Sequence, residues 1–145
     1  MKTLLKTSVL GLAALTFTAG AFMPAQITVA GQDQRLRLRA DLSGDTLASG
    51  KADYRERQRG NTLVQRFSVE VEDGEPGASL GVFVNGIQFG VIFLNDFGFG
   101  EIQFRTASAI DDPDDGTPID PDFPRLQPGD TVSVGKMLSG SFDKD

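Results

Sequence analysis

Histidine, cysteine and tryptophan are all absent from this 145-residue chain, and tyrosine occurs once. Each absence removes a class of chemistry. Without histidine or cysteine there is no Ser-His-Asp or Cys-His nucleophile, no imidazole acid–base catalysis and no ordinary zinc or copper site. Without cysteine there is also no disulfide to brace a small exported core, and no N-terminal cysteine to carry a lipid. Without tryptophan, and with Tyr54 expected to be half-buried, the usual sugar-stacking platform is missing. Phe97 and Phe99 are the remaining aromatic candidates, although such residues more often cap a core. Paired carboxylates are a formal route to glycoside hydrolysis. Glu70 and Glu72, however, fall on an outward strand face, so no enzyme is expected. No stretch beyond the N-terminus is long and apolar enough to cross a bilayer.

Residues 1–30 read as a secretory signal. Lys2 and Lys6 make a positive start, Val9 to Phe17 an apolar centre, and small residues come next. Cleavage fits after Ala21 or after Ala30, and Pro24, which ends the signal helix upstream, favours Ala30. An uncleaved anchor from Thr7 to Val29 is the alternative, interrupted by Thr16, Thr18, Gly20, Pro24 and Gln26. The expected location is therefore outside the cytoplasm, either secreted or periplasmic. Cleavage at Ala30 leaves one domain, residues 31–145, with 12 basic and 20 acidic side chains, a net charge of −8.

Polar–apolar alternation dominates the chain after residue 34, with no amphipathic helical period. Leu36, Leu38, Ala40 and Leu42 alternate with Arg35, Arg37, Arg39 and Asp41, the pattern of a half-buried strand. Further strands are expected at about 50–57, 63–72, 80–84, 87–94, 101–106, 131–134 and 137–142. Asn85-Gly86 between two of them is a strong hairpin signal, because both central residues of a type I′ turn need positive φ. Ile87 to Leu94 is apolar on both faces and is expected to lie centrally or under a covering loop, with Gly90 marking a bulge or a close backbone approach. Residues 107–122 read as a long acidic loop without periodicity, tacked down by Phe123 and Leu126, and Asp143 to Asp145 as a frayed tail. Short strands separated by turn signals predict an all-β, largely antiparallel sandwich of about eight strands.

Charge is uneven along the chain. Residues 31–66 carry eight basic and five acidic side chains, and residues 67–145 carry four and fifteen. If the first two strands pair, Arg35, Arg37, Arg39, Lys51, Arg55 and Arg57 share one face. That face suits an anionic polysaccharide, a lipid headgroup or a neighbour's acidic loop; its alternative is a solvated strand face that discourages aggregation. Net charge and the export signal argue against nucleic acid. Asp111, Asp112, Asp114 and Asp115 concentrate the hard oxygen ligands that calcium prefers. An EF-hand register fails, since Pro113 falls at its third position and Asp122 at its twelfth, which leaves a looser calcium site or a solvated loop.

The segments ADLSG, ASGKADYRER, FSVEVED, VFVNG, GFGEIQF and PGDTVSVG resemble a group of small exported bacterial domains to which no activity is attached. Leu38 to Glu72 also resembles the start of chordin-type (CHRD) domains, which are themselves similar in outline to the copper–zinc superoxide dismutase sandwich. The resemblance implies a sandwich. It carries over no metal ligand, because the segment after Val71 departs from the pattern and the chain has no histidine. The expected function is a non-catalytic secreted module in structure or adhesion, self-associating in one version. The alternative is a binding module for calcium or an anionic glycan.

Overall fold

The alternation that begins at Arg35 builds two β-sheets packed face to face. A computed structural model describes residues 34–145. The signal-like segment and its cleavage points lie outside the described residues. Ten strands occur in order: β1 (Arg35–Leu42), β2 (Ser49–Arg59), β3 (Thr62–Glu72), β4 (Ser79–Val84), β5 (Ile87–Phe93), β6 (Gly100–Arg105), β7 (Thr117–Pro118), β8 (Thr131–Val134), β9 (Leu138–Ser141) and β10 (Asp143–Lys144). One sheet has the order β10-β1-β2-β3-β6-β7 and the other β5-β4-β8-β9. All neighbours are antiparallel except β6 and β7.

The inner faces are the apolar halves of the alternating strands. Leu38, Ala52, Tyr54, Phe67, Val69 and Val71 from the larger sheet meet Val82, Val84, Ile92, Val132 and Val134 from the smaller, all buried. Phe67 sits at the centre of an aromatic group, 6.1 Å from Phe104, 5.1 Å from Phe123 and 6.4 Å from Phe142 between ring centroids. Burial of each such side chain contributes about 1.5–3 kcal/mol, and this is the main force holding the sheets together.

The Asn85-Gly86 hairpin forms as expected, with φ of 49° and 82° and Val84 opposite Ile87. Gly90 fulfils both of its readings. The β4–β5 register shifts beside it, and a Cβ there would lie 2.6 Å from the Phe104 ring.

Several expectations are corrected. The sandwich itself is as expected, and among the described residues its strands number ten, the about eight expected plus two short segments that pair. Asp143–Lys144 is not a frayed tail: it pairs with β1, and the Asp145 amide donates to the Arg37 carbonyl at 3.3 Å. The acidic loop, read from the sequence only as lacking periodicity, has local order. It holds 3-10 turns at Ala107–Ala109 and Pro113–Asp115, then β7, which runs parallel to β6. Tyr54 is fully buried rather than half-buried. The largest correction concerns β5, which is an edge strand and not a central one. Val91 and Phe93, opposite Gly81 and Ser79, turn to the outside. Apolar content alone does not separate a doubly buried strand from one that exposes an apolar face.

Candidate functional site

The outer face of the six-stranded sheet gathers most of the charged side chains singled out in the sequence. β1 and β2 pair, which places Arg35 opposite Arg57, Arg37 opposite Arg55, Arg39 opposite Asp53, and Asp41 opposite Lys51. The two-residue turn after Arg59 sets β3 against β2 so that Arg66 lies opposite Arg55. Pairing of β3 with β6 then puts Arg105 opposite Arg66. The result is an unbroken cross-strand row, Arg37–Arg55–Arg66–Arg105. Neighbours in such a row stand about 4.8 Å apart at the backbone, so its ends are roughly 14 Å apart.

Like charges directly opposite one another on a sheet are destabilising. Part of the repulsion is relieved locally. Arg105 Nη1 lies 3.2 Å from Asp115 Oδ1, and its Nη2 donates to Gln103 Oε1 at 3.4 Å. Arg66 lies between two other guanidiniums of the row. It is half-buried, and burial, then the Arg105 and Arg55 guanidiniums, hold its pKa below the ordinary arginine value. It keeps its proton at neutral pH all the same.

Two further rows follow on one side of the arginine row. The next along the strands is Arg39–Asp53–Ser68–Gln103, and the one after it Asp41–Lys51–Glu70–Glu101. Lys51 Nζ and Glu70 Oε1 are 2.9 Å apart, and the Glu70 carboxylate holds the Lys51 pKa above its usual value. The face is therefore bipolar, with arginines at one end and carboxylates at the other. The four-residue separation of the outer rows corresponds to about 13 Å. A cleft of about 170 Å³ joins the ends, lined by Lys51, Asp53, Arg55, Arg66, Ser68, Glu70 and Glu101. It offers guanidiniums for carboxylates, sulfates or phosphates, and a serine hydroxyl between the two charges. Arg35, Arg37, Arg55, Arg57 and Arg66 also line a second cleft, of about 230 Å³, beside it.

The acidic loop behaves differently. Asp115 accepts from Arg105 and from the backbone amides of Asp111 and Asp112, each at 3.2 Å. Asp112 caps the short 3-10 turn, accepting from the Asp114 amide at 3.2 Å. Two of the four candidate calcium ligands thus serve the loop's own geometry. Asp111 and Asp114 are exposed to solvent. Among the described residues, no three acidic side chains converge as metal ligands.

Sequence reasoning missed three participants. Arg66 was legible, because a two-residue turn at Gly60-Asn61 dictates the Arg55–Arg66 pairing. Arg105 was not, because β3 and β6 are separated by the whole β4–β5 hairpin. Glu56 was overlooked because it lies on the apolar side of β2. It is 7% exposed and accepts from Tyr54 Oη at 2.8 Å. It also accepts from Arg125 Nε at 2.9 Å and from Arg125 Nη2. Gln65 completes the group, donating to Tyr54 Oη at 2.9 Å and to the Pro124 carbonyl at 3.3 Å. This network latches the segment before β8 onto the end of the sandwich. Phe97 is 87% exposed at the tip of its turn, and Phe99 is partly exposed.

Among the described residues, no helix is long and apolar enough to cross a membrane. No family model matches the chain, and no curated protein shows significant similarity to it.

Proposed function

We propose that this protein is a secreted, non-catalytic adhesion module that holds an anionic glycan on the outer face of its six-stranded sheet. The observation that carries the reading is the row Arg37–Arg55–Arg66–Arg105, four guanidiniums placed directly opposite one another. Such an arrangement costs folding stability, and a polyanion crossing the strands converts that cost into binding energy. Arginine suits the task because its planar fork meets carboxylate and sulfate groups two-pronged. The regular spacing suits a polymer with repeating charge better than a single small anion. The export-like residues 1–30 support a location where such polymers occur. The two resemblances, to small exported domains and to the chordin type, agree with a sandwich module of this kind.

Isothermal titration with polygalacturonate, dextran sulfate and neutral dextran tests the reading. Binding to one or both charged polymers is expected, with none to dextran. Arg55→Glu and Arg66→Glu should each weaken it by about tenfold, roughly 1.4 kcal/mol. The affinity should fall steeply between low and high salt, as phosphate-type polyanion binding does. Equal binding of neutral dextran, or indifference to both substitutions, refutes the proposal.

A further inference from the structure

The acidic end of the same face has no role in holding a polyanion, and its position relative to the arginine row suggests another occupant. We propose that the face is self-complementary and that two copies of this chain dock through it, six-stranded sheet to six-stranded sheet. Register and charge alone favour this docking, independently of any glycan.

A two-fold axis lying in the interface and running along the Arg39–Asp53–Ser68–Gln103 row turns one copy over and reverses its strands. The arginine row of each copy then faces the carboxylate row of the other. Strand by strand, Arg37 meets Asp41, Arg66 meets Glu70 and Arg105 meets Glu101, each pair occurring twice by symmetry. Away from the axis only Arg55 meets a like charge, Lys51, and that lysine is already bridged to Glu70. On the axis Arg39 and Asp53 each face their own copy, but as cross-strand neighbours they also meet diagonally with opposite sign, while Ser68 and Gln103 are neutral. The row that is internally repulsive in one copy is thus neutralised by a second. The match also fixes orientation, because strands laid the other way would set arginine against arginine. The docked pair and a bound polyanion use the same arginines, so they exclude one another.

Charge-reversal variants test this. Arg66→Glu sets two carboxylates against each other at both symmetric positions, and Glu70→Arg sets two guanidiniums there. Sedimentation equilibrium of the full exported chain should show dimer for the wild type and monomer for each variant alone. An equimolar mixture of the two variants should again give dimer, because both contacts in the heterodimer are of opposite sign. If Glu70→Arg melts early through loss of Lys51, Glu101→Arg at an exposed position replaces it, with Arg105→Glu as its mate. Polygalacturonate added to the wild type should return it to monomer. Glu70→Arg also separates the two proposals, since it abolishes the dimer while keeping or strengthening polyanion binding. A wild type that stays monomeric at millimolar concentration, or a variant mixture that fails to associate, overturns the inference.

Discussion

Glu56 shows how one polar side chain on an apolar strand face is made tolerable. Its position in β2 puts it inside, where an unpaired carboxylate would be expelled or protonated. Instead its oxygens accept from Tyr54 Oη and from Nε and Nη2 of Arg125. The Arg125 hydrogen bonds outweigh burial and hold the Glu56 carboxyl below the usual carboxylate range. Tyr54 moves the other way, its burial keeping the phenol protonated well above the ordinary tyrosine value. A depressed folded-state value means that Glu56 stabilises the fold above its unfolded value, about 4.3. That contribution is lost as pH falls through the lower folded value. Glu56→Gln is therefore expected to cost about 1–2 kcal/mol at pH 7. The gap between variant and wild type should begin to narrow as pH falls below about 4.3 and shrink further through the lower folded value. Urea denaturation at pH 7, 5 and 3.5 checks both points; a pH-independent difference would mean that the Arg125 pairing is not the source.

At the scale of elements, the edges of the two sheets are treated unequally. β10 carries Asp143 and Lys144, and β7 is two residues long and ends in Pro118. Both devices discourage strand-to-strand aggregation. β5 has neither, since Ile87–Phe93 contains no charge and no proline, and Phe93 is 72% exposed. Val91→Lys should therefore change unfolding free energy by less than about 0.5 kcal/mol, the usual range for exposed positions, yet slow aggregation on heating. Turbidity during a thermal ramp, beside a reversible urea titration, reads the two effects separately. The sequence made β5 visible as a strand but not as an edge. Its neighbours are decided by β4 pairing with β8 across 46 residues of chain, a contact marked by Thr131 and Asn85 exchanging hydrogen bonds. Local pattern carries no information about such a pairing.

For the whole molecule, the contrast between a basic first half and an acidic second half is reorganised by the topology. β6, from the acidic half, joins β1, β2 and β3 in one sheet, so charge separates along the strands rather than between chain halves. The export reading rests on residues 1–30 and is tested on the whole chain. The protein recovered outside the cytoplasm should begin at Gly31, with Ala30 the last residue removed. Intact-mass measurement of the exported protein decides this, and an unprocessed N-terminus would contradict the signal reading.

The charged face draws these scales together and divides what was legible from what was not. Period-two alternation fixed the strands, because one face of each had to be buried. Asn85-Gly86 fixed one hairpin, because few residue pairs accept two positive φ angles, and the absence of histidine and cysteine fixed what chemistry is missing. Six of the seven basic residues of β1 and β2 were assigned to one face by alternation, on the condition that the two strands pair. Their continuation through Arg66 to Arg105, the acidic row beyond them, the capture of Asp115 by Arg105 and the exposure of β5 came only with the tertiary structure. Each depends on which strands lie side by side. That choice is made by burying both apolar faces at once, a condition on the whole chain and not on any stretch of it.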